Sequence, residues 1–118
     1  MSMARATTGR LDAALPPGSP EREIFTELLS RPGLRIERIV SRGQCSPPGF
    51  WYDQPQGEWV LLQAGAALLQ IEGEAEPRRL QPGDWIDLPP RCRHRVTWTD
   101  PEEPTLWLAV HYAVDVPL

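Results

Sequence analysis

From residue 34 to residue 112 the chain alternates apolar and polar side chains with a period of two, in short runs broken by turn residues. Leu34, Ile36 and Val40, with arginines and a glutamate between them, predict a first strand. Residues 58–64 and 66–72 predict a hairpin about Gly65, and Gly73 opens the next turn. Runs at 75–80, 85–88, 93–98 and 105–112 supply four more strands, separated by Pro82-Gly83, Pro89-Pro90 and Asp100-Pro101. Short strands at this even spacing predict an all-β sandwich or barrel, and the absence of an internal repeat excludes a propeller. Fourteen prolines and five tryptophans in 118 residues suit stiff turns between strands rather than a helical bundle.

Upstream the rhythm differs. Residues 1–18 show little periodicity and close on Pro16-Pro17-Gly18, which predicts a mobile tail. Ser19-Pro20-Glu21 then reads as a helix start, with serine as N-cap and proline in the first turn. Ile24, Phe25, Leu28 and Leu29 follow at helical spacing, and Pro32-Gly33 ends the run. The expectation is one domain over 19–118: a short helix at 19–31, packed on the outside of an antiparallel barrel at 34–112.

Composition narrows the function classes. The length suits a single core. No apolar run approaches the roughly 18 residues of a membrane span, and the first residues lead into no signal core, so a cytoplasmic protein is expected. The net charge is −4 and all 12 basic residues are arginine. Without lysine there is no Schiff-base chemistry and no P-loop lysine, and the negative field disfavours nucleic acid as a partner. Cys45 and Cys92 lack metal-ligand spacing and are expected to be reduced, although sequence alone leaves a disulfide between them open.

The run Gly83, five residues, Pro89, four residues, His94 resembles the second sequence motif of the cupins, a family of small antiparallel barrels. Glu58, six residues, Gly65 resembles the end of the first motif. The histidine pair that precedes this glutamate in the family is missing: its positions fall on Trp51 and Asp53, or on Tyr52 and Gln54, depending on the spacing taken. The family's leading glycine falls on Cys45 and its closing asparagine on Trp98, and the chain has no asparagine. The resemblance spans about residues 34–112. It implies a cupin-like double-stranded β-helix (jelly roll), with His94 delivered to the barrel mouth.

Several residues then become candidates for the site. Asp53 and Glu58 offer oxygen ligands and His94 a nitrogen for one divalent metal, with manganese, zinc or nickel better suited than an oxygen-activating iron. Alternatively, Asp53 and Glu58 are turn carboxylates facing water. Alternation along the strand puts His94, Val96 and Trp98 on an apolar, inward face and Arg93, Arg95 and Thr97 outward. Trp51, Tyr52, Gln54, Trp98 and Arg91 complete the expected pocket. Trp51 either plugs the barrel mouth or stacks on a small planar or sugar-like ligand. Trp59, beside Glu58, points to the opposite face. His111 lies on a strand with two apolar faces, so periodicity leaves its direction open; facing inward, it would add a second nitrogen near His94. Two functions from different classes fit: a metal-assisted enzyme acting on a small polar substrate, and a metal-free, non-catalytic ligand-binding or sensing protein. A purely structural dimer module is a third. An edge strand and an apolar outer face predict a homodimer.

Overall fold

The computed structural model describes residues 3–15 and 21–114. Its elements are eight antiparallel strands: β1 (Ile24–Arg31), β2 (Leu34–Ser41), β3 (Gly57–Ala64), β4 (Ala67–Ile71), β5 (Arg78–Leu80), β6 (Trp85–Leu88), β7 (His94–Thr99) and β8 (Thr105–Tyr112). A five-stranded sheet runs β1-β2-β8-β3-β6 and a three-stranded sheet runs β5-β4-β7. The inward side chains of both sheets, Val60, Leu62, Ala67, Leu69, Leu80, Ile86, Leu88 and Trp107, form one core. Among the described residues no helix is long and apolar enough to cross a membrane.

Two local expectations are corrected. Residues 24–31 form a strand, not a helix; the expected cap, Ser19-Pro20, lies outside the described residues. β1 pairs along the whole of β2, and a bulge at Leu28 places Glu27 opposite Glu37 but Leu29 opposite Ile36. The inserted residue moves later side chains to the other face. Phe25 and Leu29 therefore end on opposite faces of the strand, and the mixture of spacings imitates a helical stripe. Near the N-terminus, Arg38 Nη1 donates to the carbonyls of Leu11 and Ala13 at 3.2 and 2.6 Å.

The second correction concerns Gly65. β3 and β4 do not form a hairpin: both edges of β3 are taken, one by β8 and the other by β6, and β4 belongs to the other sheet. Gly65, at φ +84°, turns the chain across the gap. A Cβ there would lie 2.4 Å from Thr105 Oγ1 and 2.5 Å from Thr105 Cα, so only glycine fits. Thr105 ties the crossing by accepting from the Ala66 amide and donating to the Ala66 carbonyl.

Candidate functional site

A cavity of about 300 Å³ opens between the two sheets. Alternation along each strand supplies its walls. β2 contributes Arg35, Glu37 and Ile39, β3 contributes Glu58 and Val60, and β8 contributes Trp107 and His111. From the smaller sheet come Leu69, His94 and Val96, from the residue before β1 comes Glu23, and from β1 comes Phe25.

At the polar end four side chains form a chain of contacts. His111 Nε2 lies 2.8 Å from Glu37 Oε1 and 3.8 Å from Glu58 Oε2, and His94 Nε2 lies 3.5 Å from Glu58 Oε1. All four are inside the protein, the two imidazoles each 8% exposed, Glu58 11% and Glu37 13%. The hydrogen bonds place a proton on each ring. His94 Nδ1 is 2.8 Å from the Cys92 carbonyl, so Nδ1 carries a proton and Nε2 is turned toward Glu58. His111 Nε2 faces carboxylates, so it carries a proton, and its Nδ1 is buried with no partner. Glu58 thus sits between the Nε2 atoms of two imidazoles, 3.5 Å from that of His94 and 3.8 Å from that of His111.

Tyr52 stacks on His94, ring centroids 5.3 Å apart, and the backbones of the two residues bridge in both directions. Burial pushes the Tyr52 phenol up, reinforced by the carboxylates of Glu23, Glu58 and Glu37. Burial also raises the Glu23 carboxyl, against a hydrogen bond donated by Ser41. Ser41 in turn accepts from Trp107 Nε1 at 3.0 Å.

Of the residues singled out from sequence, Glu58, His94, Tyr52 and Gln54 line the cavity. The three-residue spacing therefore holds, and Tyr52 and Gln54 stand where the family motif has its histidine pair. Asp53 does not join them. Its exposed carboxylate points to Arg91 at 3.4 Å, the two side chains being 43% and 66% exposed, because it alternates with its two inward neighbours. Arg91 goes outward with it. Trp51 lies outside the cavity under the Arg93 and Arg95 guanidinium groups, 5.6 and 6.0 Å from its ring. Trp98 also misses the cavity. A bulge between the pairs Leu68–Trp98 and Leu69–Val96 leaves Thr97 over, which turns Trp98 outward (40% exposed) and Thr99 inward. Trp59 stacks on the exposed Trp85. Glu23, Phe25 and Glu37 were not among the candidates. The first two sit in the segment read as a helix, and Arg35-Glu37-Ile39 alternates with an equally plausible inner face, Ile36-Arg38-Val40.

The donors do not fit a resident metal. Asp53 is absent from the cavity, and Tyr52 and Gln54, which replace the motif's histidine pair, leave His94 as the one imidazole at the motif positions. Among the described residues no three His, Cys, Asp or Glu side chains are grouped to hold a cation. Cys45 and Cys92 are both free thiols.

No family model and no curated protein matches the chain. Solved structures do. A Ralstonia eutropha JMP134 protein, provisionally named a mannose-6-phosphate isomerase, is 56% identical with a TM-score of 0.89, over 92% of this chain and all of its own. A cupin superfamily protein of Desulfitobacterium hafniense DCB-2 is 13% identical, TM-score 0.70, over 90% of this chain and 91% of its own. An RmlC-like cupin of Methanocaldococcus jannaschii with a double-stranded β-helix fold is 16% identical, TM-score 0.67, over 95% and 93%. The latter two are similar in fold alone.

Proposed function

This chain belongs to the cupin family, and on that premise we propose that its cavity binds a small polar molecule and moves a proton on it, the chemistry of an isomerase, without a resident metal. The observation that carries the reading is Glu58 held between two imidazoles, one with Nδ1 bonded to a carbonyl and the other with Nε2 bonded to Glu37. His94 Nε2 and Glu58 Oε1, 3.5 Å apart, can share one proton. In the reaction this pair takes the proton from the carbon next to a substrate carbonyl and returns it to the neighbouring carbon, while the hydroxyl proton moves between the two oxygens. Atoms balance, and no oxidant or co-reactant is needed. His111 is a positioning residue: its Nε2–H bonds Glu37, and the imidazole so held packs 3.8 Å from the far oxygen of Glu58. Val60, Leu69, Leu88, Val96 and Trp107 line the remaining wall and keep water away from the exchanging proton. The cavity volume suits a molecule the size of a monosaccharide, and the provisional isomerase name of the Ralstonia eutropha relative supports the reaction class.

The test is deuterium wash-in. Aldoses and ketoses are incubated with the protein in D2O, with and without a chelator, and the carbon next to the carbonyl is followed by NMR. The expected result is exchange that persists in the chelator and disappears in Glu58→Gln and His94→Gln. Loss of exchange on chelation, restored by added metal, would overturn the metal-free reading. A second reading has its own support in Tyr52 and Gln54, which replace the family's histidine pair: the protein binds its ligand without turning it over. Saturable binding with no exchange for any substrate would establish that reading instead.

A further inference from the structure

The cavity is rich in acceptors and poor in donors. Glu23, Glu37 and Glu58 bring three carboxylates to its wall. His94 Nε2 faces Glu58, and His111 Nδ1 is buried without a partner, on a side chain 8% exposed. Opposed to these are the Tyr52 hydroxyl, the Gln54 amide and Arg35, whose guanidinium is drawn to Glu37 at 3.9 Å.

The three carboxylates are not equivalent. Glu37 faces His111 and Arg35, and Glu58 faces both imidazoles. Glu23 has the Ser41 hydroxyl and, among the described residues, no cation. Its raised carboxyl reports the same imbalance, an anion taken from water without a counter-charge. An ammonium group supplies what is missing: positive charge, three donors and no acceptor to leave unsatisfied. The Phe25 and Tyr52 rings in the same wall offer faces that attract a cation. A phosphate ester brings the opposite, further negative charge and acceptor oxygens into a wall already supplied with both.

We propose that the ligand of this cavity carries a protonated amine seated against Glu23, and that phosphorylated ligands are rejected. The proposal rests on the reading of the cavity as the binding site, and names the class of molecule that enters it. Three probes of one skeleton test it by calorimetry on the full chain at pH 7: 2-amino-2-deoxyglucose, glucose and glucose 6-phosphate. The amino sugar is expected to bind roughly tenfold to a hundredfold more tightly than glucose, as one charged hydrogen bond provides, and the phosphate ester to give no binding heat. Glu23→Gln is expected to remove the difference between the first two. The wild-type series alone decides the matter should that variant not fold. Tightest binding by the phosphate ester, equal affinity for amine and neutral sugar, no binding by any of the three, or a preference that survives Glu23→Gln would each overturn the proposal. Deuterium exchange separates this from the proposed reaction. Exchange without amine preference sinks the ligand class and spares the chemistry, whereas amine preference without exchange does the reverse.

Discussion

If Glu37 anchors the His111 tautomer, the two residues are energetically coupled, and a double-mutant cycle measures by how much. The contact is 2.8 Å long, and its side chains are 8% and 13% exposed, so solvent screening removes little of it. A hydrogen bond from an imidazole N–H to a carboxylate in such a setting contributes about 1.5–3 kcal/mol. Glu37→Leu leaves His111 with only the 3.8 Å approach to Glu58, and His111→Leu leaves Glu37 with Arg35 at 3.9 Å. Each single change should therefore destabilise, and the double mutant should cost about 1.5–3 kcal/mol less than the sum of the two. The lost contact to Glu58 cancels in the cycle, because it is absent in both proteins that lack His111. Urea unfolding followed by tryptophan fluorescence gives the four free energies, and nitrogen chemical shifts report the tautomers directly. Additivity within about 0.5 kcal/mol, the behaviour of independent sites, would refute the anchoring argument. So would a His111 spectrum with the proton on Nδ1.

The other expectations are more local. Gly65→Ala forces a left-handed residue to carry a Cβ against the Thr105 backbone, and is expected to lower stability by about 2–5 kcal/mol in denaturant titration. Asp53→Ala removes an exposed ion pair with Arg91, so it should change stability by less than about 1 kcal/mol and leave ligand affinity intact; a loss of bound metal in this variant would contradict the geometry. Trp98→Ser should likewise leave ligand affinity unchanged, because the bulge in β7 carries the ring outward, and a weakened ligand would put it back in the cavity. Glu23 gives a pH signature. Its folded carboxyl is raised above the ordinary value of 4.5, so its contribution is fully present below that pH and is lost as pH rises through the folded value. Glu23→Gln, which does not titrate, should gain stability relative to wild type as pH rises from 4 to 7; a constant difference would mean that the carboxyl is not perturbed.

Most of the architecture was legible because alternation survives wherever one face of a strand is buried. The seven strands from Leu34 onward were each anticipated, and the family resemblance on Gly83-Pro89-His94 and Glu58-Gly65 ordered them into the right kind of barrel. What failed were the places where pairing is decided by a distant partner. Leu28 is an extra residue against β2, and nothing near it in the chain signals the insertion. Thr97 is its counterpart against β4, and it reversed the inference for Trp98 while leaving His94 and Val96 correct. Gly65 was rightly marked as a turn, yet a turn cannot say whether the next strand returns to the same sheet. That was settled by β6 and β8 occupying both edges of β3.

The site was legible only where it follows the family. Glu58 and His94 stand at motif positions, and both reach the cavity. Their partners do not come from the motif. Glu37 and His111 face each other across the β2–β8 pair, where Glu37 is opposite Ala109 and His111 is opposite Arg35, so the two lie diagonally adjacent on the inner face. Each sits on a strand whose two faces are nearly equal in polarity, and periodicity therefore had no purchase on either. Pairing them in thought requires knowing that β2 and β8, separated by more than sixty residues of chain, are neighbours. The same adjacency bears on the chemistry. A barrel that keeps the motif carboxylate and one histidine but replaces the other two with Tyr52 and Gln54 loses nitrogen donors at the mouth. Glu37 and His111 then add a carboxylate and an imidazole to the cavity wall. His111 lies 3.8 Å from the far oxygen of Glu58 and gives its short bond to Glu37, so the two extend a line of polar contacts away from the side facing His94. Substituting His111 back to an apolar residue should therefore alter proton transfer without creating or abolishing a metal site, whereas histidines at positions 52 and 54 would surround the Glu58–His94 pair with nitrogen donors and are expected to confer metal binding on this barrel.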